Sequence, residues 1–588
     1  MSFVIKLQWF FKQQWMKYVT AISLMALISL GSMIPPRLVG QLIDSIRVSS
    51  LTREGLVTMV GLLLGLAVIT YVVNYIWMTT LFGNSILLEK TMRSRLMRHW
   101  TRMTPSFFQR NRTGDLMALA TNDVLAVSQT AGFGVLTLVN TVVGITVVLG
   151  TMILFTSYKL MLAALIPMPF LAFAISRLGK AMRKRFLASQ EAFGRMNDQA
   201  LESISGMRVI RSYVQETHDA ASFHQVTTDV MNKNRKVAFI GAMFQPVIST
   251  IVGISYSIGI GYGSYLVFHG ELSLGQLVTF NIYLGQLVWP MIAFGEFINI
   301  LQRGNASVDR LEASLGQKAD VREPDQPLEV AQPLGLEIRG LTFRYPDSNA
   351  DSLKGISLRV ERGATLGVVG RTGSGKSTLL KQLLRLYPVE PHKVFISGVP
   401  IEQISIERIR SWIGYVPQEH MLLSKTIAEN IALGKTEATE EEIRRAVEMA
   451  SFAGDVEQMK DGLQTIVGEN GVMLSGGQKQ RLAIARALLV NPEILLLDDS
   501  LSAVDARTES AILNNLRRER AGKTTWISTH RLSAVSHANW IIVLEEGRIV
   551  EEGTHEQLMN LGGWYRQQYD KQQLEASLMG EGREADGE

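Results

Sequence analysis

Apolar residues are distributed very unevenly along this chain. Runs of about 20 mainly apolar residues, the length that crosses a bilayer as a helix, occur six times before residue 303 and not after it. Long buried helices of a soluble bundle are the alternative, but such helices keep a polar face that these runs mostly lack. The pattern therefore predicts a polytopic α-helical membrane domain with six spans, near residues 18–40, 56–82, 132–156, 159–178, 238–268 and 275–300.

The pattern changes after residue 303, where the membrane domain (1–303) is expected to end. Residues 304–335 are polar and contain prolines, as is typical of a linker. Over residues 336–571, short β-rich runs alternate with helical patterns, which predicts a second domain of α/β type. Residues 572–588 are charged and contain glycine, so we expect a disordered tail.

The distribution of charge predicts a membrane topology. The 588-residue chain has a net charge of +5, which alone could suggest a nucleic-acid partner. However, seven Lys and Arg residues lie in residues 90–112 and ten in residues 180–236, the two long connections between predicted spans, and the short connections hold few. The positive-inside rule then places both termini and both long loops in the cytoplasm of a multi-pass plasma-membrane protein, the inner membrane in a Gram-negative cell. Nucleic acid is not needed to explain the charge.

Cysteine is absent from the sequence. This excludes disulfides, thiolate metal sites and cysteine nucleophiles together. Nothing in the chain therefore depends on an oxidising compartment.

A glycine-rich segment follows the apolar run 366–369 and opens a helical run. In this context the segment is predicted to be a P-loop, in which backbone N–H groups surround phosphate oxygens. A chance Gly-rich turn is the alternative, and the order of strand, loop and helix argues against it. Lys376 is expected to reach the β and γ phosphates and Ser377 to ligate magnesium. The segment consists of Gly370, Arg371, Thr372, Gly373, Ser374, Gly375, Lys376, Ser377 and Thr378.

Two further segments have the chemistry that a nucleotide site needs. An apolar strand ends in Asp498 and Asp499, which suits carboxylates that hold a magnesium-bound water and position an attacking water. Between this strand and the P-loop, small residues precede a helical run and would free backbone N–H groups for phosphate, although in isolation a plain capping turn is the better explanation of them. These small and polar residues are Ser475, Gly476, Gly477 and Gln478.

Taken together, these segments resemble the ATP-binding cassette (ABC) family over nearly the whole chain. Leu474–Gln478 match the family's signature loop without a substitution, 370–378 its Walker A motif and 495–498 its Walker B motif. The resemblance implies an enzyme that hydrolyses ATP, with Mg²⁺ held by Ser377, Gln418 and Asp498, and couples hydrolysis to transport. It also implies roles that each residue alone would not suggest: Tyr345 stacking on adenine, Gln418 in the Q-loop, Asp505 in the D-loop and His530 as the switch histidine.

The first half resembles the membrane domain of exporter-type half-transporters. Phe107-Phe108 with residues 114–116 and 121–124 look like that family's first coupling loop, and Glu202 with residues 206–210 look like the second. Both lie in the two loops that charge places in the cytoplasm. The resemblance implies a dimer in which ATP is sandwiched between the Walker A motif of one chain and the signature loop of the other.

One position departs from the family pattern. The family has Glu after the Walker B aspartate, as the base that polarises the attacking water, and this chain has Asp499. Asp is one methylene shorter, and a misplacement of about 1 Å can cost about a hundredfold in rate. With a slow Walker site and an intact signature loop, the chain resembles the degenerate-site subunit of heterodimeric bacterial multidrug exporters of the Mdl type. A homodimer that tolerates Asp is the alternative.

Evidence about the transported compound is limited to the last span. Gln286, Trp289 and Glu296 fall with Ala293 and Ile300 within about a 100° sector of one helix face. Glu296 could attract cationic amphipathic compounds, or it could lie at the membrane margin or pair with a basic side chain. Because membrane and ATPase segments are fused with the membrane part first, we favour an exporter of amphipathic, multidrug or lipid-like compounds. An exporter-shaped importer of metal chelates, a homodimeric lipid flippase and an ATP-gated channel or regulator remain the alternatives.

Overall fold

The computed structural model describes residues 2–468 and 473–585. In this part of the chain, six helical segments are long and apolar enough to cross a membrane. They confirm the predicted spans and are named span 1 to span 6: Trp15–Arg47, Arg53–Trp100, Thr113–Phe155, Tyr158–Ser205, Glu216–Phe268 and Leu274–Gly316. Each has at least 33 residues, against about 20 needed to cross the bilayer, so the helices extend beyond the apolar runs.

Short helices precede and connect the spans. They comprise Ser2–Lys6, Gln8–Gln13, Pro105–Arg110 and Met207–Ser212. Span 3 contains two π-helical turns, Leu119–Asp123 and Thr130–Gly134, between its α-helical parts, and Thr156–Ser157 separates it from span 4.

Span 1 is made of two helices, Trp15–Gly31 and Ile34–Arg47. The break has a chemical cause, because Pro35 and Pro36 have no backbone N–H and cannot donate to the carbonyls four residues earlier. By contrast, Pro290 lies inside a helix of span 6 that stays continuous from Leu274 to Gly316.

The chain divides into two compact units. One contains the chain through residue 101 together with 113–317, and the other contains 102–112 and the chain from residue 318 onward. The short helix Pro105–Arg110 therefore belongs with the second unit, where Gln109 Nε2 donates a hydrogen bond to the Tyr387 hydroxyl at 2.9 Å.

Two helices extend into segments that we expected from the sequence to be a linker and a disordered tail. Span 6 continues through residues 304–316 of the expected linker, because positions 304, 307, 308, 311 and 314 recur at helical spacing and bury one face. The last helix, Trp564–Ala585, likewise continues beyond residue 572 into the segment that was expected to be disordered. The domain boundaries themselves stay a prediction.

The second unit is built on two sheets, as the alternating β-rich and helical runs predicted. Strands β3, β8, β7, β9 and β6 form parallel pairs, and β10 adds antiparallel to β9, giving the order β10-β9-β3-β8-β7-β6. A second sheet is antiparallel, in the order β2-β1-β4-β5. The strands are β1 Gly335–Phe343, β2 Leu353–Glu361, β3 Thr365–Gly370, β4 Val394–Ile396, β5 Val399–Pro400, β6 Ile413–Val416, β7 Ile494–Asp498, β8 Thr524–Ser528, β9 Trp540–Glu545 and β10 Arg548–Gly553.

Helices connect the strands of the second unit and follow the last of them. They are α1 Lys376–Leu383, α2 Ile406–Trp412, α3 Ile427–Ala432, α4 Glu440–Met449, α5 Ala453–Gln458, α6 Gly476–Leu489, α7 Ala506–Glu519, α8 His555–Leu561 and α9 Trp564–Ala585. All five positions of β7 are buried, as expected of a central parallel strand with both faces covered. The carboxyl ends of β3, β7 and β8 meet at one edge, where Asp498 pairs in register with Ser528. This edge positions the candidate site.

Candidate functional site

The predicted P-loop joins the end of β3 to the start of α1. Gly370 and Gly375 have φ values of +148° and +105°, which side chains rarely adopt. A Cβ at Gly370 would lie 2.2 Å from the Leu544 carbonyl oxygen, and one at Gly375 would lie 2.7 Å from that of Ser352. The loop thus requires glycine at both positions, because neighbouring backbone passes so close.

Lys376 is the first residue of α1 and is buried inside the loop. Its ammonium donates hydrogen bonds to the carbonyl oxygens of Gly370 and Arg371, both at 2.9 Å. Burial lowers the pKa of Lys376 to about 8, although the nearby carboxylates of Asp498 and Asp499 oppose this effect. A positive charge held in such a loop is suited to phosphate oxygens.

Asp498 lies at the end of β7 and is almost fully buried. Its Oδ1 accepts a hydrogen bond from the Ser377 hydroxyl at 2.7 Å, and its Oδ2 accepts one from the Tyr415 hydroxyl at 3.2 Å. Burial, and then the Asp498 charge, raise the pKa of the Tyr415 phenol well above its usual range. One carboxylate and one hydroxyl in contact fit Mg²⁺, which takes oxygen ligands and shares them with substrate phosphates.

Asp499 follows in an uncommon conformation. Its φ is +46°, and its backbone N–H donates to the Ser528 carbonyl at 2.8 Å, which fixes the turn. The side-chain Oδ1 is buried and has no hydrogen-bond partner within the described chain. Burial raises the pKa of this carboxyl, while the charges of His530 and Lys376 oppose the increase.

His530 lies just after β8 on the same edge. Burial lowers the pKa of its imidazole, and the positive charge of Lys376 lowers it further, which favours the neutral ring. A cavity of about 120 Å³ brings it together with the residues predicted from separate segments. The cavity is lined by Thr372, Gly373, Ser374, Gly375, Lys376, Ser377, Gln418, Asp498, Asp499, Ser528 and His530.

The remaining predicted residues lie outside this cavity. Tyr345 hydrogen-bonds Thr378 at 3.0 Å between hydroxyl oxygens, and its ring packs edge-on against Tyr387 with 5.0 Å between centroids. The carboxylate of Asp505 caps α7 by accepting from the backbone N–H groups of Arg507 and Thr508, and these hydrogen bonds lower its pKa.

The signature segment begins α6 with a capping box. The Ser475 side chain accepts from the Gln478 N–H at 3.3 Å, and the Gln478 side chain accepts from the Ser475 N–H at 3.0 Å. Gly476 and Gly477 form the first turn of this helix. In this chain these residues form the start of α6, and they do not line the cavity at the P-loop.

Sequence reasoning missed two residues of the site. Ser528 lines the cavity, and Tyr415 donates to Asp498 from the neighbouring strand β6. Each is a polar group at or near the carboxyl end of a buried strand parallel to β7, and that position is the signal that could have identified them.

The residues predicted on one face of span 6 do not share one surface. Gln286 lines a cavity of the membrane unit, whereas Trp289 is 66% exposed and Glu296 is also exposed, and neither lines that cavity. At about 100° per residue, Trp289 and Glu296 are rotated about 60° and 80° from Gln286, enough to leave the cavity wall. Ala293 and Ile300 are buried instead.

Profiles of known protein families match parts of both units. A profile described as "ABC transporter transmembrane region" matches residues 18–291, and one described as "ABC transporter" matches residues 353–502. The chain is 51% identical over 573 residues to the Bacillus subtilis (strain 168) protein named "Probable multidrug resistance ABC transporter ATP-binding/permease protein YheI", across 97% of this chain and 98% of that protein. This chain belongs to the ABC transporter family.

Further similarities support this assignment. The "Multidrug resistance-like ATP-binding protein MdlA" of Escherichia coli (strain K12) is 41% identical over 578 residues, 98% of each chain. A solved structure of a bacterial Atm1-family ABC exporter with ATP bound has the same fold, with a TM-score of 0.79 and 23% identity across 96% of this chain and 98% of that one. The chain thus has the ABC exporter fold, and its second unit binds ATP and hydrolyses it to drive transport.

Proposed function

We propose that this ABC transporter chain is one half of a heterodimeric exporter of amphipathic compounds. Its own Walker site is slow, and its signature loop completes a competent ATP site on a different chain. The partner has Glu after its own Walker B aspartate. Two relatives named for multidrug resistance, at 51% and 41% identity over nearly full length, support this substrate class.

The observation that carries the proposal is the geometry of Asp499. Its backbone is fixed by the 2.8 Å hydrogen bond to Ser528, and its buried Oδ1 has no partner in the described residues. A glutamate would extend one carbon further from the same backbone toward an attacking water. Since general-base efficiency depends on hydrogen-bond reach to the water, the shorter side chain lowers the rate.

We assign the other roles as follows. Lys376 and the P-loop backbone bind the phosphates, Ser377, Gln418 and Asp498 hold Mg²⁺, and His530 contacts the γ-phosphate as a neutral donor. Mg²⁺, when bound, neutralises charge on the β- and γ-phosphate oxygens.

Tyr345 stacks on adenine at this chain's own site, beside Thr378 of the P-loop. The remaining roles require the second chain: Ser475, Gly476, Gly477 and Gln478 with Asp505 act on the partner's nucleotide. The backbone N–H groups at the start of α6 suit this role, because a helix N-terminus favours phosphate.

The proposed topology has both termini and both coupling loops in the cytoplasm. It is supported by the seventeen Lys and Arg residues within 90–112 and 180–236. ATP is then hydrolysed on the cytoplasmic side, and compounds leave through the plasma membrane.

Pull-down of a tagged chain from its native membrane tests the proposal. We expect an ABC half-transporter of different sequence in equal amount, with Glu following its Walker B aspartate. Recovery of this chain alone as a homodimer would contradict the heterodimer, and inverted vesicles containing the pair should accumulate an amphipathic dye only when ATP is supplied outside.

A further inference from the structure

The second unit contains another cavity, at the edge of the larger sheet opposite the P-loop. It lies where the parallel strands β3, β8 and β9 begin, whereas the P-loop cavity lies where β3, β7 and β8 end. The end of α7 and the turn formed by residues 520–523 complete its wall. Its volume is about 200 Å³. Pockets for drug-sized ligands measure roughly 300–1,000 Å³, so this cavity suits a smaller ligand.

The charged residues that line this cavity are all cations. They are Arg517, Arg520 and Lys523, and no Asp or Glu is among the described residues of the wall. Arg517 is exposed and has neither an ion pair nor a hydrogen bond within the described chain. Lys523 Nζ lies 3.6 Å from a carboxylate oxygen of Glu493, which also pairs with Arg362 at 3.0 Å. The cavity therefore has an excess of positive charge.

Arg520 is buried without a counter-ion. It is 5% exposed, and every hydrogen bond of its guanidinium within residues 2–468 and 473–585 goes to a neutral oxygen. The acceptors are the carbonyl oxygens of Pro492 at 2.8 Å and Thr524 at 3.1 Å and the hydroxyl of Thr525 at 3.5 Å. Burial lowers the pKa of Arg520 to about 10, and the charge of Glu493 opposes this effect. Because a buried charge is costly unless it is paired, an anion in the cavity would stabilise this arginine.

Two neutral side chains of the wall can donate hydrogen bonds to the same ligand. His537 Nδ1 is buried and has no hydrogen-bond partner in the part of the chain that the structure describes. Burial, and then the positive charge of Arg517, lower the pKa of this imidazole to about 4, so the ring is neutral and carries one N–H. The Asn539 amide is oriented by its Oδ1, which accepts from the Thr365 N–H at 2.7 Å, and its Nδ2 donates to none of the described residues.

We infer that this cavity binds phosphate, either as the free ion or as the phosphate group of a monoester. Arg517 and Lys523 are its charged donors, and the buried charge of Arg520 gains a counter-ion. His537 and Asn539 donate to its remaining oxygens. A dianion with several acceptor oxygens matches donors that come from α7, from the turn after it and from the residues before β9. The site is separate from the ATP site, and it depends neither on the heterodimer nor on the transported compound.

Binding of radiolabelled inorganic phosphate to the purified complex in lipid nanodiscs tests the inference. Both ATP sites are first filled with Mg²⁺ and a non-hydrolysable ATP analogue, so that the P-loops cannot take up the label. We expect saturable binding, which Arg517→Gln should weaken about tenfold, the lower end of the effect of a charged hydrogen bond. Because Arg517 is exposed, the variant should unfold at the same temperature as the wild type when phosphate is absent.

Arg518→Gln is the matched control. Arg518 is the next residue and is also exposed, but it lies outside the cavity and pairs with Glu519 at 3.1 Å. The control should bind phosphate like the wild type. Absence of saturable binding to the wild type, or equal weakening in the two variants, would overturn the inference.

Chemical modification of arginine locates the bound phosphate. Phosphate should slow the reaction of Arg517 with phenylglyoxal and leave that of Arg518 unchanged, as measured by mass spectrometry of peptides from the wild-type complex. Chloride at equal ionic strength should protect neither residue. Equal protection of both arginines by phosphate would reveal a general ionic effect and contradict the site.

Competition distinguishes the two sources of the phosphate group. If glycerol 3-phosphate displaces the label as well as unlabelled phosphate does, the site accepts a monoester. If only inorganic phosphate displaces the label, the site is specific for the free ion. Displacement by neither would contradict a phosphate site.

Discussion

The side-chain amide of Gln572 holds the loop that carries His530. Its Nε2 donates a hydrogen bond to the His530 carbonyl at 2.8 Å, and its Oε1 accepts one from the Leu532 N–H at 2.9 Å. Gln572 lies on α9, which is anchored by the fully buried Tyr565. Helix α9 thus fixes the backbone on both sides of Arg531, the residue after the candidate switch histidine His530.

We expect Gln572→Ala to weaken ATP binding at this chain's own site by up to about thirtyfold. The physical reason is that two hydrogen bonds, each worth about 1 kcal/mol, no longer position the His530 loop. Photolabelling of this chain with an ATP analogue measures the effect. Gln567→Ala, at an exposed position of the same helix, should label like the wild type, and equal labelling of all three proteins would show that α9 does not position the loop.

Lys376→Ala should abolish most ATP binding at the same site. The variant removes the ammonium from a loop in which it is buried, so the phosphate charge loses its main cationic partner. Photolabelling of the variant chain within the intact complex tests this. Undiminished labelling would contradict the assignment of residues 370–378 as the phosphate-binding loop.

The pKa of Lys376, lowered to about 8 by burial, predicts a pH dependence of ATP affinity. Above pH 8 the free site loses the lysine proton, and because bound phosphate favours the charged form, ATP affinity should fall as the pH rises through 8. Binding at pH 8.5 should take up protons, and binding at pH 6.5 should take up none at this lysine. Calorimetry in two buffers with different ionisation enthalpies measures the uptake; equal uptake at both pH values would contradict the assignment.

Much of this architecture could be predicted because its signals are local. The spans depend on apolar length, and the P-loop depends on glycines that must sit at the end of a strand. By contrast, Gln572 carries no local signal, since its role depends on where α9 packs. The helical residues 304–316 were missed because polar residues, Ser307 and Ser314, occupy part of the buried face and interrupt the apolar period.

The charge of Glu296 gives a separate prediction about transport. If this exposed carboxylate attracts cations, Glu296→Gln should reduce transport of cationic dyes more than that of neutral dyes and leave basal ATPase activity near normal. Dye accumulation in inverted vesicles, with a neutral dye as reference, measures the ratio of the two transport rates. An equal reduction for both classes would indicate a structural role for this residue.

The two ATP sites are expected to be unequal, and Asp499 is the residue that distinguishes them. In the heterodimer, Asp499→Asn should reduce steady-state hydrolysis by less than about twofold. A well-placed general base contributes about 10²- to 10⁴-fold to the rate, and a site whose base is poorly placed already lacks most of this contribution. Ser475→Arg should lower hydrolysis by about a hundredfold or more, since a bulky side chain would enter the partner's competent site. ATPase assays on the purified complex compare the two variants.

Ser475 also caps α6, so loss of the cap must be separated from loss of the signature loop. Thr439 caps α4 with an equivalent capping box through Glu442, and Thr439→Arg should therefore cost a similar amount of stability, about 1 kcal/mol, while hydrolysis stays near normal. A homodimer would give a different result, because both of its sites would depend on Asp499. Near-total loss of hydrolysis in Asp499→Asn would then match the loss in Ser475→Arg and refute the asymmetric arrangement.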